Sequence, residues 1–373
     1  MEKQKQKQSR RLLSLDALRG FDMFFIMGGS GLLAALAVLF PGSFTEALAG
    51  QMGHVSWHGL AHHDTIFPLF LFIAGISFPF SLAKQRSQGK TSRDIYRKII
   101  TRGIVLVLLG FLYNGILDFR FEHFRFASVL ARIGLGWMFA ALLFVNFRAV
   151  TRAWIAAAIL IGYWLLMMYV PVPGVTEDPL SFEGNWIGYI DRLIMPEHLH
   201  QPGQFDPEGI LSTIPAIVTA MLGMFTGEFI KKDDKSLTEN RKVLWLVVAG
   251  VILLVVGLIW AQVFPINKKL WTSSFVCVVG SYSVLMFALF YYIIDVLGWK
   301  RWTFFFKVIG LNSITIYLAQ KFISFSFTDG KVFGGLVGLM PECVQPFVES
   351  AGYVALCWIF LYILYRKNIF LKV

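Results

Sequence analysis

The chain has 373 residues, of which 56% are hydrophobic, 16% aromatic and only 15% charged, against roughly 25% charged in an ordinary soluble domain. Thirty-six Phe and a mean hydropathy of +0.63 exclude disorder, collagen and a disulfide-rich secreted scaffold, and they leave too little polar surface to wrap a water-soluble core of this size. The net charge of +11 is no signature of nucleic-acid binding here, because on a membrane chain the placement of the cations matters more than their sum.

A crossing helix needs about 20 mostly apolar residues. Ten such segments are predicted, at 12–40, 65–83, 99–117, 126–147, 153–172, 209–230, 243–263, 272–297, 303–325 and 347–365. The expected fold is all-α, a polytopic integral membrane protein of about ten transmembrane helices. Starting inside, the even-numbered connections carry Lys84, Arg86, Lys90, Arg93, Arg97 and Lys98, then Arg148 and Arg152, then Lys231, Lys232, Lys235, Arg241 and Lys242, then Lys300 and Arg301. The termini add Lys3, Lys5, Lys7, Arg10, Arg11, Arg366, Lys367 and Lys372, whereas the opposite loops hold Arg120, Arg125, Arg192, Lys268, Lys269 and Lys331. Both termini are therefore expected in the cytoplasm. Residues 1–11 form a basic cytoplasmic head, and 41–64 and 173–208 are extracytoplasmic loops.

The basic head followed by an apolar run, with Ala47, Leu48 and Ala49 beyond it, imitates a signal peptide. The run is too long for one and carries charges, so it reads as a retained first helix. The apolar piece 332–340 is too short to cross, and an eleventh crossing there would put the basic C-terminus outside. No internal repeat occurs, so 1–373 reads as a single integral membrane domain. Three Cys at positions 277, 343 and 357 show neither a disulfide framework nor a metal spacing.

Charges inside spans are costly and each needs a partner, an aqueous cavity or a function. On the first span Asp16, Arg19 and Asp22 recur every three residues on one face, which permits two i,i+3 ion pairs. They read either as a self-neutralised structural triad or as a setting in which Arg19 meets an anionic cytoplasmic ligand. Arg132 in the fourth span and Lys321 in the ninth have no local carboxylate. Arg132 pairs across helices or lines a cavity, whereas Lys321 has the further option of snorkelling.

The densest chemistry lies in the first outer loop and the start of the second span, QMGHVSWHGLAHHDTIFP, with four of the seven His, a Trp and an Asp close together. Imidazole takes and returns protons near neutrality. His54, His58, His62 and His63 are also metal-ligand types, but their i,i+4 spacings need a helix where Gly53 and Gly59 favour a loop, so no metal is expected. Asp64 is suited to N-cap the second span, and Trp57 to anchor an interfacial loop.

Further along, GYIDRL and DPEGILSTI place Asp191, Asp206 and Glu208 in the long outer connection. Asp206-Pro207 has the form of a helix start, and the three acids give the outer mouth a negative potential that attracts a cationic amine. Asn267 and Lys268 in PINKKLW, and Asn312 in GLNSI, offer hydrogen bonds to a sugar or to a cofactor's polar arm, or alternatively to neighbouring backbone.

In chain order the words SLDALRG, HVSWHGL followed by DTIFP, VLARIG, YVPVPG, GYIDRL, DPEGILSTI, PINKKLW, GLNSI and YILYRKNIF resemble the heparan-α-glucosaminide N-acetyltransferase family over nearly the whole chain. LDALRG also resembles a broader group of membrane acyltransferases that modify envelope sugars. The family resemblance implies that acetyl-CoA donates an acetyl group, without a metal, to a glucosamine-type amine on the far side of the lipid bilayer. It also implies that the active histidine, which precedes the family's WNGL word, is His54. The family's Asn in that word is His58 here, the Asn before its first-helix glycines is Met27, and a His-Glu pair in the ninth span is replaced by Gln320 and Lys321. These departures bear on recognition of the acceptor.

On this basis His54 is the expected base or acyl acceptor, oriented by Asp64. Trp57, His58, Asp191, Asp206, Glu208, Asn267, Lys268 and Asn312 are candidate substrate contacts, and Arg19 and Arg132 candidate contacts to acetyl-CoA. The competing functions are an amino-sugar or glycolipid transporter or flippase, and an O-acetyltransferase of an envelope polysaccharide. The acceptor is thus an amino sugar or another glycan. Absence of any Asn-x-Ser/Thr word leans towards a bacterial plasma membrane, and the oligomeric state, a homodimer included, is left open.

Overall fold

The computed structural model describes residues 12–196, 198–200, 205–233 and 237–371. The expected basic head, 1–11, lies outside the described residues, as does Lys372. Every regular element among the described residues is helical. Eight helices are long and apolar enough to cross a membrane. They are α1 (Leu13–Leu39), α3 (His62–Ser87), α5 (Val129–Asn146), α6 (Ala149–Tyr169), α8 (Thr213–Lys231), α9 (Glu239–Trp260), α10 (Ser273–Val296) and α14 (Gln345–Arg366). Among them run α2 (Ser43–Gly50), α4 (Ser92–Tyr113), α7 (Trp186–Ile194), α11 (Thr303–Leu311), α12 (Ser313–Phe322) and α13 (Phe325–Val337).

Two of the ten expected spans fall short of that length and apolarity for different reasons. The third is a continuous 22-residue helix, α4, but its first turns carry Arg93, Asp94, Arg97 and Lys98. It starts earlier than expected because Thr91 and Asp94 form a capping box, with the Asp94 carboxylate accepting from the Thr91 N–H at 3.0 Å and the Asp94 N–H donating to Thr91 Oγ1 at 3.2 Å. The ninth is broken at Asn312, whose φ of −126° and ψ of 30° separate α11 from α12. The piece at 332–340 belongs mostly to α13, a helix of 13 residues. Its length of about 20 Å is too short for a hydrocarbon layer of about 30 Å.

Burial separates the helices that make the core from those that face lipid. Over its most apolar stretch α3 is 78% buried, whereas α9 is 17% buried. Side chains apolar on all sides suit both positions, since α3 is wrapped by α1, α5, α8 and α10 and α9 packs chiefly on α10. Close approach of α3 and α8 rests on small residues. A Cβ on Gly223 would stand 2.0 Å from the Phe72 carbonyl oxygen, and one on Gly227 2.4 Å from that of Ile76. This is the GxxxG device, which lets two backbones touch. Gly223→Ala is expected to force the helices apart and to cost at least about 2 kcal/mol, read as a lowered unfolding midpoint of the detergent-solubilised protein.

The helices α3, α5, α8 and α10 meet in one apolar layer. Phe67, Leu71, Trp137, Trp271 and Phe275 lie in it, none more than 7% exposed. Phe67 and Phe275 each pack edge-on against Trp271 at 5.1 Å.

On α1 the expected pair of ion pairs is only half made. Arg19 lies 3.9 Å from Asp16, while Asp22 is 2% exposed and its Oδ2 has no hydrogen-bond partner. A π-turn, Phe25–Gly29, interrupts the helix where Gly28 takes φ 126°. It re-phases the second half so that Ser30 Oγ meets His63 Nδ1 at 3.2 Å.

Candidate active site

The loop between α2 and α3 is non-helical from His54 to Ala61, with Gly59 at φ 122°. Its return brings His54 back onto the first turn of α3. His54 Nδ1 lies 2.7 Å from Asp64 Oδ1. Asp64 is 1% exposed, and its Oδ2 accepts the backbone N–H groups of Ala61 at 3.1 Å and Val55 at 3.3 Å. Asp64 is therefore not the N-cap, a position held by Ala61, but the third residue of the helix. There its carboxylate takes up a free N–H of the helix start and complements the positive end of the dipole.

A 2.7 Å contact with an ionised carboxylate requires a proton between the atoms, so Nδ1 carries the hydrogen and Nε2 keeps a lone pair. This tautomer is assigned from the hydrogen-bond network. Lys268 Nζ lies 3.4 Å from Asp64 Oδ1 and 3.1 Å from His54 Nδ1. Burial holds the Lys268 ammonium below its ordinary pKa, and Asp64 and Glu208 offset part of that effect. The His54 side chain itself is 53% exposed, and the ring of His63 stands edge-on to it at 4.5 Å.

His54, Asp64 and Lys268 line a cavity of about 210 Å³ together with Trp57, Arg132 and Glu208. Trp57 is fixed by its indole N–H, which donates to the Leu180 carbonyl at 3.0 Å, and by Phe182, 4.9 Å away. Arg132 is 1% exposed. It donates to Ser212 Oγ and to the Gly209 carbonyl, lies 4.9 Å from the centre of the Trp271 ring, and has no partner for Nε. Glu208, Asp206 and Asp191 supply negative charge near it, and what this buried guanidinium lacks is an acceptor for its Nε–H, a place that a developing oxyanion can take. Arg132 was expected at the acetyl donor's polar end, and it is found instead beside His54.

The acidic residues of the long outer connection divide into two roles. Asp191 and Asp206 are fully buried and their oxygens are occupied. Asp191 accepts the N–H groups of Asp206 at 3.1 Å and Ile210 at 3.2 Å. Asp206 is gripped by Arg125 through Nε at 2.7 Å and Nη2 at 2.6 Å. Burial pushes the Asp191 carboxyl up to about 6, against those two N–H groups. Burial alone would lower Arg125, but Asp206 and Glu208 hold it above its ordinary value. Both carboxylates are thus turned to groups of the protein itself. Asp206 does not start a helix, since α8 begins at Thr213. Glu208 also binds Arg125, but it reaches the cavity wall.

The Arg125 clamp was not legible, because nothing in FRFEHFRF sets Arg125 apart from its neighbouring cation. Arg125→Ala would strand Asp206 in the interior, and a loss of about 3 kcal/mol or more is expected, measured as reduced stability of the purified protein.

Four other expected contacts, Asn267, His58, Asn312 and Arg19, lie off the cavity. Asn267 is fully buried. Its Oδ1 accepts the Leu270 N–H at 2.9 Å and its amide lies 3.3 Å from His58 Nδ1, so both residues shape the loop that presents Lys268. Asn312 Nδ2 donates to the Ile369 carbonyl at 3.1 Å, which makes it a tie between the α11–α12 break and the C-terminal segment. Arg19, held by Asp16 and donating to Ser77 Oγ at 3.2 Å, is likewise remote from His54. His200, Phe205 and Trp271 also line the wall and were not singled out from the sequence. Trp271 takes φ 50°, a left-handed conformation costly for a bulky residue.

No protein-family model matches the chain. It is similar to heparan-alpha-glucosaminide N-acetyltransferase of Mus musculus, 28% identical over 86% of this chain and 56% of that protein. It is also similar to the Homo sapiens protein of the same name, 29% identical over 86% and 55%. The chain spans about half the length of these curated relatives. The expected resemblance is thus borne out across most of the sequence, and His54 and Asp64 meet as an oriented pair.

Proposed function

We propose that the chain is a membrane acetyltransferase that moves an acetyl group from cytoplasmic acetyl-CoA to the amine of a glucosamine-type sugar on the opposite side of a bacterial plasma membrane. The observation that carries this proposal is the imidazole of His54, oriented by buried Asp64 at the mouth of a cavity that also holds Arg132 and Lys268. The names of the relatives support the reaction type, and the uneven distribution of Lys and Arg supports the sidedness.

A thioester is already activated. The protein has to hold it against the acceptor, remove a proton from the ammonium and stabilise the tetrahedral oxyanion. His54 Nε2 takes that proton. The freed amine then attacks the carbonyl carbon, the C–S bond breaks and the thiolate is reprotonated, so that an ammonium and a thioester give an amide, a thiol and one proton. In the two-step variant Nε2 attacks the carbonyl carbon first and the C–S bond breaks to release the thiolate, after which the amine displaces the imidazole from the acetyl group and its proton is lost to solvent. Arg132, poised with an unsatisfied N–H, and Lys268 supply positive charge to the oxyanion. Glu208 draws the cationic amine into the cavity.

The test is labelled acetyl-CoA supplied to the inside of vesicles that carry the purified protein, with a panel of amino sugars outside. Labelled N-acetyl sugar outside is the expected result. Uptake of unmodified sugar without acetyl transfer would overturn the proposal in favour of a transporter.

A further inference from the structure

An acidic cavity of about 380 Å³ opens between α1, α13 and α14. Ser326 and Asp329 of α13 line it together with Glu349, Ser350 and Tyr353 of α14. Their spacings of three and four residues put each set on one face of its helix. Glu349 stands about seventeen residues or ~25 Å along α14 from Arg366, towards the side that the charge distribution makes extracytoplasmic. Room for the Asp329 carboxylate comes from Gly352, where a Cβ would stand 2.3 Å from Asp329 Oδ1.

Asp329 is the informative residue. It is 7% exposed, and its Oδ1 is buried with no hydrogen-bond partner. The charge that bears on it is the like charge of Glu349, and these two acids are the charged residues of the wall. Lys331, two residues on, lies off the wall with its ammonium 5.7 Å from the centre of the Phe327 ring. A carboxylate withdrawn from water without a donor is costly, and a second carboxylate beside it adds to the cost. A cation between the two removes both. Calcium or magnesium needs about six oxygens closing on one point, and no metal-binding group of three or more acids, His or Cys occurs among the described residues. A primary ammonium asks for less. Its three N–H donors match the two carboxylates and a serine hydroxyl, since the Tyr353 hydroxyl already takes the Gln320 amide at 2.8 Å. The volume leaves space for the carbon skeleton behind the nitrogen.

We infer that the Asp329 cavity binds a primary ammonium group, which bridges the two carboxylates and so ties α13 to α14. The inference is independent of the acetyl transfer proposed above. Two sources offer the same group. One is the ethanolamine headgroup of a lipid, because α13 is too short to cross and leaves Phe327, Val332 and Leu336 exposed, as a helix lying in the lipid interface does. The other is a soluble amine, and the experiment separates the two.

Retention of phosphatidylethanolamine against phosphatidylcholine by the full chain is measured by native mass spectrometry, and binding of free ethanolamine by calorimetry in phosphatidylcholine nanodiscs. Choline, which keeps the charge but has no N–H, is the control for both. Asp329→Asn and, because Glu349 is exposed and less able to disturb folding, Glu349→Gln are compared with the parent. The expected result is a preference for the primary ammonium over choline, weakened about tenfold or more in Asp329→Asn and severalfold in Glu349→Gln. Retention of the lipid on these terms assigns the site to a headgroup, and binding of ethanolamine without lipid preference assigns it to a soluble amine. Absence of both, equal binding of choline, binding of sodium alone, or a preference that both variants leave unchanged would overturn the inference.

Discussion

His54→Ala is expected to abolish acetyl transfer while the protein stays folded. The His54 side chain is 53% exposed, so its removal takes little packing with it. Asp64 would keep the two backbone N–H groups and Lys268, so no carboxylate is stranded. The chemistry does not survive in the same way. Without Nε2 neither proton removal nor acyl capture has an agent, and general-base assistance alone contributes about 10²–10⁴-fold. Transfer of labelled acetyl to an amino sugar is the measurement, together with the thermal unfolding of both proteins. Turnover within a few-fold of the parent would remove His54 from the reaction.

The second large effect is expected from Asp64→Asn. The carboxamide keeps the shape of Asp64 but replaces one acceptor oxygen by a donor. With its oxygen accepting from the Ala61 and Val55 N–H groups, its NH₂ faces His54 Nδ1. The imidazole proton then moves to Nε2 and the basic lone pair points at the wrong partner. A fall in kcat of about 10²–10⁴-fold is expected, with KM for the acceptor little altered, as when the orienting carboxylate of a catalytic triad is neutralised. A stability loss of about 1–3 kcal/mol accompanies it, because the same carboxylate satisfies the start of α3. Comparing kcat with the unfolding midpoint separates the two effects. A variant that loses stability but keeps kcat would show that Asp64 only closes the helix.

Most helices were legible because apolar runs of crossing length leave a chain few alternatives. The exceptions are instructive. At Asn312 the composition stays apolar on both sides, and the break arises because the C-terminal segment supplies a carbonyl for the amide, a long-range contact that no local pattern encodes. At α4 a capping box outweighed the charges that placed the expected start several residues later. Within the site, the His-rich loop announced itself by density, and the pairing of His54 with Asp64 was expected by analogy with the third group of a catalytic triad, although ten residues of chain separate the two. Asp191 and Asp206 misled because a carboxylate in an outer loop reads the same whether it faces solvent or holds a buried arginine. Only the fold shows that Arg125 claims one and two backbone N–H groups the other. Arg132 was recognised as a buried cation in need of a reason, but its partners, Ser212 Oγ and the Gly209 carbonyl, followed only once α5 was packed against the loop before α8.

The apolar layer formed by Phe67, Leu71, Trp137, Trp271 and Phe275 has an electrical consequence. It lies between the His54 cavity and a second cavity further along α3, lined by Lys98, Arg102 and Trp137 among others, and both of those carry cations. Side chains packed in this way offer no hydration to a travelling ion, so an inorganic cation or a free proton meets a dielectric barrier there. Under the acetyl transfer proposed above, a neutral two-carbon group is all that has to pass this layer, and a layer closed to ions and solvent is compatible with a membrane that maintains ion gradients.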